Sequence, residues 1–136
     1  MPILKAGALL ILLVMVPYFY KYSERNLLLT DDKGKFFYTA SKKIETLVPP
    51  NALLGCMEWS GAISLYTGIE SFRWDVNESL VLIHDFLGRG RSIYLLIEPW
   101  QKDHRMLQTI SQTYKLETVA KMPEFMDMSL VKVNEP

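Results

Sequence analysis

The run at residues 92–97, reading SIYLLI, constrains this chain more than any other stretch. It is apolar at nearly every position, so it has no face to turn to water. Gly88-Arg89-Gly90-Arg91 bounds it on one side and Pro99 on the other. A run this short, dense in Ile, Tyr and Leu, predicts a strand buried on both faces. Such a strand needs helices above and below it, which points to an α/β fold.

The flanking sequence supplies them. Residues 36–48 read as a helix, with Phe36, Phe37, Ala40, Ile44 and Leu47 at three- and four-residue spacings, and Pro49-Pro50-Asn51 ends it. Residues 52–57 form a short apolar run that predicts a buried strand. Residues 61–66 predict one or two helical turns, stopped at Gly68. Residues 69–74 alternate as a second strand. Residues 78–87 predict an amphipathic helix capped by Asn77, with Leu80, Ile83, His84 and Leu87 on its apolar face. Pro99 opens a further helix reaching Tyr114, with Met106, Leu107 and Ile110 turned inward. Residues 116–121 and 128–133 predict two closing strands, joined by a loop holding Pro123. The expectation is a small three-layer α/β domain, its sheet mostly parallel with an antiparallel C-terminal edge.

Residues 3–20 are the most hydrophobic segment, interrupted by Lys5. The uncharged part is short against the roughly 20 residues that cross hydrocarbon, but Lys5 can snorkel to the interface. Tyr18, Phe19, Tyr20 and Tyr22 lie where an aromatic belt sits. A cleaved signal peptide is the competing reading, disfavoured because bulky aromatics rather than small residues follow the run; a buried helix of a soluble domain ranks third. The expected organisation is a transmembrane helix at 1–22, a linker and helix at 23–50, and an α/β domain at 51–136. Lys21, Arg25, Lys33 and Lys35 follow the span, and charge alone leans toward placing the rest in the cytoplasm.

Lys plus Arg and Asp plus Glu number 15 each, which argues against a general nucleic-acid binder. The single cysteine, Cys56, excludes an internal disulfide and reads as a small core residue. Gly88-Arg89-Gly90-Arg91 resembles a phosphate loop in composition. It lies between helix and strand, the reverse of the phosphate-binding order, so it reads as a helix cap with solvated arginines. The two histidines, His84 and His104, read as a core residue and part of an exposed charged run. No spacing supports a metal site, and no cofactor is expected.

Ligands of open parallel sheets bind beyond the carboxyl ends of the strands. Glu58, Asp75 and Glu98 fall at those predicted ends beside Trp59, Trp74 and Trp100. Acids beside aromatic rings are one way to hold a sugar, with the rings stacked on its apolar face; three core tryptophans are the plainer reading. Arg73 and Asp75, two apart, share a face if extended and form an ion pair by default.

The series Pro50-Asn51-Ala52, Ser60-Gly61, Tyr66-Thr67-Gly68, Arg73-Trp74-Asp75 and Tyr94-Leu95-Leu96, followed by Glu98 and Trp100, carries a family likeness. It resembles the soluble tail after the last membrane helix of bacterial multi-spanning glycosyltransferases. These are of the GT-C or family 39 class, related to protein O-mannosyltransferases. The resemblance implies an extracytoplasmic domain and a polyprenyl-phosphate sugar as the enzyme's donor. The candidate ligand-binding set, from the strand ends and the motif series, is Glu58, Trp59, Tyr66, Arg73, Trp74, Asp75, Glu98 and Trp100. Such enzymes place their catalytic acids in an early loop outside the matched region, so no catalytic residue carries over. The expected function is the membrane-anchored tail, as a fragment or split subunit, of such an enzyme. Its expected partners are membrane lipid and a multi-spanning subunit. The alternative is a single-pass structural or interaction module with no sugar chemistry.

Overall fold

A computed structural model describes residues 32–136. The transmembrane helix expected at 1–22 lies outside the described residues. Among the described residues no helix is long and apolar enough to cross a membrane. The chain divides into two units, Met1–Phe37 and Tyr38–Pro136, and the second holds the sheet.

In chain order the elements are α1 (Asp32–Leu47), β1 (Leu53–Gly55), α2 (Ser60–Tyr66), β2 (Glu70–Phe72), α3 (Ser79–Gly88) and β3 (Ile93–Ile97). A 3₁₀ turn (Pro99–Gln101), α4 (Arg105–Thr113), β4 (Lys115–Met122) and β5 (Met128–Asn134) complete them. The result is a small α/β domain on a mixed five-stranded sheet, ordered β2-β1-β3-β5-β4. β1 pairs in parallel with both β2 and β3, while β5 runs antiparallel between β3 and β4. The expected alternation and the antiparallel C-terminal edge are both present, but the sheet is not mostly parallel: β5 inserts between β3 and β4, so two of the four pairings are antiparallel, and these are the longer ladders.

β3 is buried at every position and sits at the middle of the sheet. Its Ile93, Leu95 and Ile97 point to one face, where they join Leu53 of β1, Val131 and Val133 of β5, Ile83 of α3, and Leu107 and Ile110 of α4. On the opposite face Ser64 of α2 meets Ser71 of β2, the two hydroxyls 3.1 Å apart. The two crossovers explain the split. β1–α2–β2 moves outward across the sheet and β2–α3–β3 moves back, so right-handed connections put α2 and α3 on opposite faces.

Three local expectations are corrected. The helix from Pro99 to Tyr114 is two elements: a 3₁₀ turn, then α4 from Arg105, because His104 takes extended backbone angles (φ −66°, ψ 129°) and caps the second. Asn77 does not cap α3; Glu78 precedes its first residue in helical conformation. There the Ser79 hydroxyl instead donates to the Arg73 carbonyl at 2.8 Å. His84 is exposed rather than in the core, since α3 buries Ser79 and Ile83.

Gly55 shows how tightly β1 sits. A Cβ there would lie 2.6 Å from Leu95 Cδ2 and 2.8 Å from Phe72 Cζ. Gly55→Ala is therefore expected to cost about 1–3 kcal/mol through overpacking, read from urea denaturation; an unchanged midpoint would show that the core yields there. The β4–β5 hairpin holds Met126 and Asp127 at φ 54° and 55°, a region costly to L residues. Met126 is half exposed, so Met126→Gly gives up little burial. It should raise stability by about 0.5–1 kcal/mol in the same assay.

Candidate functional site

The carboxyl ends of β1, β2 and β3 lie along one edge of the sheet, because the three strands are parallel and adjacent. The order β2-β1-β3 also makes the crevice between β1 and β3 the point where crossovers diverge, the usual ligand position in such sheets. Cys56 to Trp59 follow β1, Arg73 to Asp75 follow β2, and Glu98 to Gln101 follow β3. The sequence-predicted acids Glu58, Asp75 and Glu98 thus reach one edge of the fold.

Their states differ. Arg73 grips Asp75 in a two-pronged pair: Nε donates to Oδ1 at 2.8 Å, and a second guanidinium nitrogen donates to Oδ2. The Asp75 side chain is largely buried, while that of Arg73 is about half exposed. The Arg73 hydrogen bonds hold the Asp75 carboxyl below the ordinary aspartate range, against the opposing effect of burial. Asp75 in turn raises the Arg73 value, and Glu58, exposed nearby, adds to it. The expected ion pair is present.

Glu98 is 5 % exposed and engaged within its own turn. Gln101 Nε2 donates to Glu98 Oε2 at 2.8 Å, and the Glu98 amide donates to Gln101 Oε1 at 3.0 Å. This reciprocal box fixes the chain as it leaves β3.

Trp59 and Trp74 are core residues, 2 % and 0 % exposed, whereas Trp100 is 58 % exposed. Trp74 Nε1 donates to the Leu96 carbonyl at 3.2 Å, one residue past the last β1 partner on β3. Tyr66 stands apart, at the end of α2, with its ring edge-on to Tyr38. Its hydroxyl is buried with no hydrogen-bond partner among the described residues.

Sequence reasoning missed His104. It is half-buried, its ring edge-on to Trp74 at 5.3 Å between centroids. Its Nδ1 accepts from the Met106 amide at 3.2 Å, so the neutral ring carries its proton on Nε2. Its field also reaches Asp75. The legible signal was a polar residue two positions before the periodic Met106, Leu107 and Ile110. Gln101 was legible too, three residues after Glu98 with proline between.

Burial pushes the Cys56 thiol up to about 12, so at neutral pH it is a protonated core group and not a nucleophile. The arginines after α3 are paired. Arg89 binds Asp85, and Arg91 binds Glu70 while donating to the Asn51 carbonyl and covering the Phe86 ring. Arg91 is therefore a staple between strand ends rather than a solvated residue. Among the described residues no group of three or more His, Cys, Asp or Glu is placed to hold a metal.

The Asp75 carboxyl gives a signed expectation. Its folded value lies below the ordinary 3.8, so the pair's stabilisation is complete above that value and is lost as pH falls through the folded one. Asp75→Asn should be less stable than the native chain at pH 7, and the gap should close as pH drops below 3.8 in paired urea titrations. A gap independent of pH would mean that shape, not charge, is what Asp75 supplies. Compared with known proteins, the chain matches no family model, no curated relative and no solved structure.

Proposed function

We propose that this chain is the membrane-anchored, extracytoplasmic tail domain of a polyprenyl-phosphate-sugar-dependent glycosyltransferase, a fragment or split subunit without catalysis of its own. Its task is to cap the catalytic face of a multi-spanning partner and to help hold the acceptor. One observation carries the non-catalytic part: five of the motif residues at the sheet edge are committed to folding. Arg73 and Asp75 bind each other, Glu98 binds Gln101, and Trp59 and Trp74 are buried. The motif series also follows one structural unit. Ser60-Gly61 opens α2, Tyr66-Thr67-Gly68 closes it, and Arg73-Trp74-Asp75 leaves β2. The apolar run at 3–20 supports the anchor.

A second reading is a single-pass structural or interaction module with no sugar chemistry. It is favoured by the burial of Trp59 and Trp74, which removes two of the three tryptophans from any stacking surface.

The first reading predicts that the full chain resists carbonate extraction from membranes. An alkaline phosphatase fused after Pro136 should be active, as an extracytoplasmic reporter is. A multi-spanning membrane protein should copurify with it. Replacing Leu10 and Leu13 by Arg should release the chain, since each charge at the centre of a span costs about 2.5–3.5 kcal/mol. A full-length chain that stays soluble sinks both readings; an anchored chain without a polytopic partner leaves the second.

A further inference from the structure

Two cavities adjoin on the α3–α4 side of the sheet, at the corner where β3 gives way to the β4–β5 hairpin. The first, about 280 Å³, runs between α4 and the outer strands. Ile97, Leu107, Leu116 and Val131 give it an apolar floor, with Thr118 on its outer wall. The second, about 400 Å³, is bounded by Pro99 and Pro123 and holds Lys102, Lys121 and Asp127. Lys102 and Ser129 line both, so the two adjoin at these side chains, an apolar groove beside a polar end. Register explains the placement. Ser129 sits opposite Ile97 on β3 and opposite Lys121 on β4, on the same face as Thr118 and Val131.

The polar end carries a local excess of positive charge. Lys102 and Lys121 are exposed and, like the other described lysines except Lys42, form no ion pair among the described residues; Asp127 is the one acid lining that cavity. Two cations against one carboxylate leave a single positive charge beside a half-buried hydroxyl, at the mouth of an apolar slot. We propose that this groove binds a single-chain amphiphile with a monoanionic headgroup, a medium-chain carboxylate. The alkyl chain lies over Ile97, Leu107, Leu116 and Val131, and the carboxylate meets Lys102, Lys121 and the Ser129 hydroxyl. Apolar burial supplies affinity along the slot, and charge-assisted hydrogen bonds fix the orientation. The inference rests on the groove and not on the glycosyltransferase reading.

The test uses the full chain in amphipol with a decanoate carrying a diazirine on its alkyl chain, and crosslinks are mapped by mass spectrometry. Labelling is expected on the α4 and β4–β5 peptides, and decanoate should compete while decanol and acetate do not. In Lys102→Gln/Lys121→Gln the labelling should fall about a hundredfold, the scale of two lost charge-assisted contacts. Thr118→Trp, which plugs the slot from an exposed position, should abolish it. Thermal melts of the variants should match the native chain. Labelling confined to the apolar residues 3–20, equal competition by decanol, or full labelling of the double variant would each overturn the proposal. None of these outcomes bears on carbonate extraction or copurification, so the two readings fail separately.

Discussion

β3 has a hydrogen-bonded neighbour on each edge and apolar side chains on each face. A strand in that position cannot be added late or left out. Its amides and carbonyls are satisfied by β1 and β5, and its side chains by what packs above and below. Ile93, Leu95 and Ile97 gather α3 and α4 on one face, while Tyr94 and Leu96 are buried on the other. The parallel half and the antiparallel half of the sheet meet along this one strand. Losing it would leave two fragments, each with an exposed edge and too little core to stand alone.

The loops beyond the parallel strands are tied down by the same logic. Each leaves the sheet with polar groups that must find partners near a dry core. Trp74 reaches back to the Leu96 carbonyl, Ser79 to the Arg73 carbonyl, and Glu98 and Gln101 satisfy one another. His104 then starts α4 by accepting the Met106 amide while its ring rests on Trp74. Arg73, Trp74, Asp75 and Glu98, which look like a reactive edge in the sequence, are thus clasps. What remains open lies one strand pair away, where α4 leaves part of β4 and β5 uncovered and two lysines share a cavity with one acid.

The elements were legible because their signals are local. Pro49-Pro50, Gly68, the Gly-Arg pairs and Pro99 punctuate the chain, and short apolar runs between them leave few alternatives. The Arg73–Asp75 pair was legible for the same reason, since a spacing of two puts both groups on one side of an extended segment. His84 and His104 went the other way. Periodicity placed His84 on an apolar face; Leu80, Ile83 and Leu87 of that face do meet the core, yet His84 itself is exposed. A charged neighbourhood placed His104 outside, yet Trp74, 30 positions earlier, comes to meet it.

The sequence by itself determined the class of fold, the division into strands and helices, and the pairing of neighbours in the chain. Those follow from periodicity and turn chemistry, which act over a few residues. Only the tertiary structure decided which tryptophans are buried, which acids are already bound, and where two cations and an apolar slot share a wall. Those are distances between segments far apart in the chain. They are set by sheet order and crossover direction, and residue spacing carries no record of either.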